Sequence, residues 1–168
     1  MSSKIVAVVT RHGPYNHGGD MMLTSDGRRV VKHMAEQLAK QVEEAGGRSF
    51  AIAASTKLRA IETANIMFEV LKAAGMDVVR VDDLSTLVFE MGKLKDEDVL
   101  AAKSAVDKAA QGRIPIIVTH LEMSSRLAKA YGADMWRGNS GDIFAAMDTG
   151  EGVVVYESGA WEWIGSRR

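Results

Sequence analysis

The fold is decided by the stretch Ile5-Val6-Ala7-Val8-Val9-Thr10-Arg11-His12-Gly13, close to the start of a 168-residue chain. Its first six residues form a continuous apolar, β-branched run, which is typical of a strand covered on both faces of a sheet. An arginine and a histidine follow at once and lead into a loop rich in turn formers, residues 13–20. The stretch predicts a buried strand with two polar side chains at its carboxyl end.

Strand-like and helical patterns alternate along the rest of the chain. Further strands are predicted over 50–54, 77–81 and 114–119, and short strand-like pieces over 143–147, 153–156 and 160–164. Helices are predicted from Thr24 or Ser25 to Gly46-Gly47, from a cap at Ser55 or Thr56 to Gly75, from Asp96 to 110, and over 124–131. This alternation predicts an α/β sandwich with a mostly parallel central sheet and an antiparallel edge from the C-terminal strands.

Length and composition narrow the class of protein. Residues 1–168 are expected to form a single domain, since the chain is too short for two comfortable cores. A net charge of −1 lacks the basic excess of a nucleic-acid binder, so we expect neither nucleic acid nor a membrane as partner. The absence of cysteine excludes disulfides, thiolate zinc sites and a cysteine nucleophile. The run 5–9 is too short for a signal-peptide core, so a cytoplasmic location is expected. We expect the protein to be a monomer or a homodimer.

Polar groups at three strand ends suit a phosphoryl group. Ligands of open α/β sheets bind beyond the carboxyl ends of the strands. Arg11 and His12 follow the first strand, Arg59 opens the helix after the second, and His120 follows the fourth. Arginine matches phosphate oxygens with a planar fork of donors, and a neutral histidine can attack phosphorus. Each of these residues alone would be an ordinary polar residue, but together they predict a phosphate pocket.

The same residues carry a family resemblance. Arg11-His12-Gly13 after an apolar strand resembles the signature of the histidine phosphatase superfamily, which includes the phosphoglycerate mutases. Leu23-Thr24-x-x-Gly27, Ser55-Thr56-x-x-Arg59-Ala60-x-x-Thr63-Ala64 and Val118-Thr119-His120 resemble its other motifs, in the same order. The resemblance covers the chain from residue 5 to about residue 155.

The resemblance implies a fold and a mechanism. The fold would be a three-layer α/β/α sandwich, and the short chain resembles compact members without a large cap insertion, such as bacterial phosphohistidine phosphatases. His12 would be the nucleophile of a phosphohistidine intermediate, and Arg11, Arg59 and His120 would hold the phosphoryl group. No metal and no cofactor would be used. The implied function is a metal-independent phosphomonoesterase acting on a phosphorylated small molecule or phosphoprotein.

The proton donor is open among four carboxylates. In the mutase-like branch it is a glutamate after the third strand followed shortly by a glycine, and Glu90-Met91-Gly92 is the best match. Asp82, Asp83 and Glu122 are the alternatives. Hydrolysis of an alkyl phosphate needs such an acid. Phosphorylated imidazole is a better leaving group than an alkoxide, so an enzyme for that substrate can work without the acid.

Three other functions compete with the phosphatase. A phosphoglycerate-mutase-type phosphotransferase is weakened by Pro14-Tyr15, where mutases usually have Glu-Ser, and by Gly18 at their asparagine position. A non-catalytic phosphate-ligand binding module would keep the pocket but lack an acid. A metal-dependent hydrolase would use His12, His17, Asp20 and His120, whose spacing matches no established ligand pattern.

Overall fold

The computed structural model describes residues 4–18, 21–44, 48–133 and 147–165. Within these ranges strands and helices alternate as the sequence predicts, and a short 3-10 turn, Ser85–Leu87, lies in the long loop after the third strand. The strands are β1 (Ile5–Arg11), β2 (Ser49–Ala54), β3 (Asp77–Arg80), β4 (Ile114–Thr119), β5 (Glu151–Tyr156) and β6 (Trp161–Gly165). The helices are α1 (Ser25–Glu44), α2 (Leu58–Ala73), α3 (Asp96–Ala110) and α4 (Leu121–Ala130).

All six strands form one sheet in the order β3-β2-β4-β1-β5-β6. The first four are parallel, whereas β5 is antiparallel to β1 and β6 is antiparallel to β5. This confirms the mostly parallel sheet with an antiparallel C-terminal edge. The register places Val118 of β4 beside both Thr10 and Ala54. The carboxyl ends of β1, β2 and β4 therefore lie side by side.

The helices cover both faces of the sheet, which confirms the three-layer α/β/α sandwich. Helices α1 and α2 enclose one core with the sheet, and α3 and α4 enclose the other. The predicted four-residue stripe of α1 is buried at Val31, Met34, Leu38 and Val42. Burying one such side chain contributes about 2 kcal/mol to stability. Helix α1 is therefore held against the sheet mainly by its apolar face.

Two helices begin at other residues than predicted. Helix α2 begins at Leu58 with Lys57 at its N-cap, since the Ser55 hydroxyl lies 2.8 Å from His120 Nε2 instead of capping the helix. Helix α4 begins at Leu121, three residues earlier than predicted, because His120 has an extended backbone and serves as the N-cap.

The C-terminal strands differ slightly from their patterns. Strand β5 begins at Glu151 rather than Val153, and the Glu151 side chain is buried and accepts a hydrogen bond from the Asp148 amide at 2.7 Å. The predicted piece 143–147 lies outside the described residues except for Met147. Trp161 and Trp163 share one face of β6 with ring centroids 5.5 Å apart. Of the helices described, none is long and apolar enough to span a membrane.

Candidate active site

A cavity of about 250 Å³ opens where β1, β2 and β4 end. Backbone bonds hold these ends together: the His12 amide donates to the Thr119 carbonyl and the Ser55 amide to the Val118 carbonyl, both at 3.1 Å. The four residues predicted to form the phosphate pocket all line this cavity, in spite of their separation along the chain. The lining residues are Arg11, His12, Tyr15, Lys57, Arg59, Val88, Phe89, Met91, His120 and Leu121.

The turn after β1 is fastened to α2 by the hydroxyl of Thr63. This oxygen accepts a hydrogen bond from the Gly13 amide at 3.0 Å and donates to the Arg59 carbonyl at 2.7 Å. A β-carbon on Gly13 would lie 2.4 Å from a methyl carbon of Val31, so a larger residue here would force the buried Val31 side chain to move. The His12 loop and the first turn of α2 are thereby held in one arrangement.

The start of α1 fastens the other side of the same loop. The Thr24 amide donates to the Pro14 carbonyl at 3.1 Å, and the Thr24 hydroxyl accepts from the Gly27 amide at 2.9 Å. A β-carbon on Gly27 would meet the Pro14 carbonyl oxygen at 2.0 Å. These contacts give the Leu23-Thr24-x-x-Gly27 pattern its physical reason: threonine caps the helix, and glycine admits the loop backbone.

Glu62 of α2 is a supporting residue that the sequence reasoning missed. Its carboxylate accepts the Leu23 amide at 2.8 Å and the Arg28 Nε at 2.6 Å. It thereby holds the end of the loop and the start of α1 against α2. An isolated glutamate on a helix carries no sequence signal for such a contact.

His12 is buried and held in its neutral form. The residue is only 3% exposed, and burial lowers the pKa of its ring to about 4, with Arg59 and Arg11 acting in the same direction. Nδ1 lies 2.9 Å from the Gly13 carbonyl oxygen, which can only accept, so the ring proton is assigned to Nδ1. Nε2 therefore carries a lone pair, and it accepts a hydrogen bond from Arg59 Nε at 3.3 Å.

The described hydrogen-bond partners of the two arginines are neutral groups, while the charge of Asp148 acts on Arg11 and raises its pKa against the larger effect of burial. Arg11 donates one terminal nitrogen to the Met147 carbonyl at 3.0 Å, and its Nε is buried without a hydrogen-bond partner among the described residues. Burial is the main cause that lowers the pKa of Arg11. The Arg59 guanidinium lies over the ring of Tyr15, 4.7 Å from its centre. A cation–π contact of this kind orients the charge without neutralising it.

His120 completes the polar floor of the cavity. Its ring centroid is 5.1 Å from that of His12, and Phe89 meets it edge-on with centroids 6.2 Å apart. Burial, followed by the nearby His12 and Arg59, lowers the pKa of His120 to about 3. Both histidines are therefore neutral at pH 7, which leaves Arg11, Lys57 and Arg59 as the positive charges of the lining.

The structure adds Tyr15 and Lys57 to the predicted set. Tyr15 packs edge-on against His12 with ring centroids 5.1 Å apart. Its position in the loop directly after His12 is the sequence signal that could have identified it as a lining residue. Lys57 lines the cavity as the N-cap of α2, and its place two residues before Arg59 could have marked it.

The candidate proton donors do not line the cavity. Glu90 is 72% exposed and pairs with Lys93, 3.1 Å away. Glu122 accepts a long hydrogen bond of 3.4 Å from the Gly92 amide, and both Asp82 and Asp83 are exposed. The structure thus brings together Arg11, His12, Arg59 and His120 but leaves Glu90 outside. Over the described parts of the chain, no carboxylate lines the cavity.

The residues of the competing metal site are only partly described. Asp20 lies outside the described residues, and His17 is exposed with its ring stacked on Tyr15 at 4.1 Å between centroids. Across the four described ranges, no group of three or more His, Asp or Glu side chains is placed to hold a metal ion.

Solved structures share this architecture. A protein histidine phosphatase SixA complexed with tungstate matches with a TM-score of 0.59 at 16% identity, covering 94% of this chain and 92% of that one. The chain has the histidine phosphatase fold. A phosphoglycerate mutase from Plasmodium falciparum matches with a TM-score of 0.55 at 16% identity, covering 94% and 86% of the two chains. No family model matches the sequence, and no curated protein does.

Proposed function

We propose that this protein is a metal-independent phosphatase that works through a phosphohistidine on His12. The observation that carries the proposal is the state of His12. Its Nδ1 proton is directed to the Gly13 carbonyl, so the Nε2 lone pair faces a cavity lined by three cations and no described carboxylate. A neutral nucleophile in a positive pocket suits a phosphoryl dianion.

The reaction proceeds in two displacements. In the first, the Nε2 lone pair of His12 forms a bond to phosphorus, and the leaving atom departs with the electron pair of its own bond. The ring then carries a positive charge, which the Nδ1–H shares with the Gly13 carbonyl. In the second, water attacks phosphorus, the P–N bond returns its electron pair to Nε2, and inorganic phosphate leaves. Arg11, Arg59 and His120 stabilise the equatorial oxygens in both steps.

Arg59 has to change partners during the first step. Its Nε donates to the atom that attacks, His12 Nε2, at 3.3 Å. The charged oxygens of a phosphoryl group are stronger acceptors than a neutral imidazole nitrogen. Binding of the substrate therefore draws the guanidinium onto phosphate and releases the lone pair for attack.

The lining favours a substrate whose leaving group needs little help from an acid. Departure of an alkoxide calls for a general acid, which is typically worth 10²- to 10⁴-fold in rate. A phosphorylated imidazole, carrying a proton on its other nitrogen, departs as a neutral ring. The similar SixA structure is that of a protein histidine phosphatase. We therefore place a phosphorylated histidine of a protein first among substrates, with Glu90 dispensable.

The test compares leaving groups in the wild-type protein. Hydrolysis is followed with phosphoimidazole, p-nitrophenyl phosphate and glycerol phosphate, each with and without a chelator. We expect the first two to be turned over, glycerol phosphate to be slower by at least about 100-fold, and chelator to have no effect. Full activity on glycerol phosphate would refute the leaving-group argument, and loss with chelator would refute the metal-free mechanism.

The nucleophile is tested by substitution and trapping. His12→Ala should abolish turnover and the acid-labile phosphoenzyme seen by mass spectrometry of rapidly quenched enzyme. The matched control is His33→Ala, which removes an exposed histidine of α1 and should leave both readouts unchanged.

Phosphate binding without turnover of any of the three substrates would instead favour the phosphate-binding module, a function consistent with the absence of a carboxylate from the described lining. Transfer of the phosphoryl group to phosphoglycerate, instead of water, would favour the mutase.

A further inference from the structure

Ser55 stands at the junction of β2 and α2 and is fully buried. Its hydroxyl oxygen lies 2.8 Å from Nε2 of His120, a lining residue of the cavity. We infer that the Ser55 hydroxyl donates to His120 Nε2 and so fixes the ring proton on Nδ1, which makes His120 a hydrogen-bond donor to the phosphoryl group. This assigns Ser55 as a positioning residue, and it rests on the proposed function of the cavity.

The direction of the hydrogen bond follows from counting donors. The Ser55 oxygen has two partners in the described chain, His120 Nε2 and the Lys57 amide at 3.4 Å. The amide can only donate, so the hydroxyl hydrogen is left for Nε2. The opposite arrangement, with Nε2–H donating to the serine oxygen, would leave the hydroxyl hydrogen without an acceptor among the described residues, although Ser55 is fully buried.

The tautomer matters because His120 is neutral. A neutral imidazole has one donor and one acceptor, whereas the protonated ring would have two donors whatever its neighbours do. Burial next to His12, Arg59 and Lys57 keeps the ring uncharged. With the proton on Nε2, Nδ1 would present a lone pair to an anion, which is repulsive. A single hydroxyl therefore decides whether His120 attracts or repels phosphate.

Other features of the chain fit this assignment. His120 lines the cavity and its one described hydrogen bond is at Nε2, so the inferred Nδ1 proton is left for a ligand. The Ser55 side chain does not cap α2, although it precedes the helix and serine is a preferred cap. The backbone of Ser55 is fixed by its own bond to the Val118 carbonyl, two residues before His120. Strand pairing thus sets the distance between the hydroxyl and the ring.

The first experiment reads the tautomer directly. Protein labelled with ¹⁵N on histidine is examined by long-range ¹H–¹⁵N correlation NMR, with His120→Gln used to assign the signals. We expect wild-type His120 to show a protonated Nδ1 and an unprotonated Nε2 at pH 7. In Ser55→Ala we expect the proton to be shared between the two nitrogens. A wild-type ring with its proton on Nε2 would overturn the inference, whether or not the protein is a phosphatase.

The second experiment measures the consequence for turnover of phosphoimidazole. Ser55→Ala should lower kcat by about two- to fivefold, because the ring must then give up the competing Nε2–H tautomer before it can donate from Nδ1, with a smaller change in KM. Ser125→Ala is the matched control, because the one described hydrogen bond of that buried hydroxyl goes to the Glu122 carbonyl on its own helix. In a His120→Gln background, Ser55→Ala should cause no further loss. An equal loss in that background would show that Ser55 acts through the fold rather than through His120.

The outcomes separate the two proposals. A wild-type protein that turns over no phosphorylated substrate contradicts the proposed function, while the NMR result still decides the tautomer. An active wild type whose Ser55→Ala variant keeps full kcat contradicts the role of Ser55 and leaves the proposed function standing. Ser55→Thr keeps the hydroxyl and should restore the Nδ1–H tautomer.

Discussion

Acidification should destabilise this protein well before its carboxylates are protonated. The cause is the burial of His12 and His120 as neutral rings, with pKa values lowered to about 4 and about 3. In the unfolded chain both rings regain the ordinary histidine pKa of 6.5. Between pH 6.5 and the folded pKa values the unfolded state binds more protons. Stability is therefore full above pH 6.5 and is lost as pH falls.

The magnitude follows from proton linkage. At pH 5 each ring is largely protonated in the unfolded chain and neutral in the folded one. This difference lowers the free energy of unfolding by about 2 kcal/mol per histidine relative to pH 7. The two rings together cost about 4 kcal/mol. Domains of this size are stable by about 5–15 kcal/mol, so the loss takes a large share of the total.

The assay is urea unfolding followed by circular dichroism at pH 7, 6 and 5, with the free energy of unfolding extrapolated to water. We expect the largest drop between pH 6 and pH 5. His12→Asn combined with His120→Asn should flatten the pH dependence over this interval, whereas the exposed-site variant His33→Asn should keep it. A wild-type free energy of unfolding that is constant between pH 7 and pH 5 would refute the claim that both rings are buried neutral.

Three substitutions test the surroundings of the site. Gly27→Ala should lower the free energy of unfolding by about 2 kcal/mol in spite of better helix propensity, because its Cβ would lie 2.0 Å from the Pro14 carbonyl oxygen. Gly18→Ala, whose Cβ would meet no described atom within 4 Å, is the control in the same urea titration. Tyr15→Leu should reduce kcat/KM about fivefold by removing the cation–π contact with Arg59. Tyr15→Phe keeps the aromatic ring and should leave kcat/KM unchanged. Both variants are measured by steady-state kinetics with p-nitrophenyl phosphate. Glu90→Gln should change kcat on that substrate less than about twofold, and a loss of about 100-fold would mean that this carboxylate reaches the substrate.

The floor of the site was predictable because strand ends follow from local pattern. Arg11, His12 and His120 are adjacent to buried apolar runs, and parallel pairing brings the ends of such runs to one edge of the sheet. Arg59 followed from the first turn of the next helix. These inferences need only the identity of each element and its end, which periodicity supplies.

The walls were not predictable for the opposite reason. The loop after β3 has no periodicity, and its course is set by distant contacts, such as the bond from the Thr119 hydroxyl to the Leu87 carbonyl at 2.9 Å. That bond fixes the segment in which Phe89 turns toward His120 while the neighbouring Glu90 projects into solvent. Sequence spacing could name Glu90 but could not say which way it points.

The hydrogen bond from Arg59 Nε to His12 Nε2 has a consequence for chemical selectivity. Without a ligand the Nε2 lone pair accepts this hydrogen bond, so an uncharged electrophile in the cavity would find it occupied. Only a ligand with enough negative charge to draw the guanidinium away uncovers the nitrogen. In the proposed mechanism, recognition of the dianion and exposure of His12 Nε2 are thus the same movement, and the resting protein should react slowly with uncharged alkylating and acylating reagents.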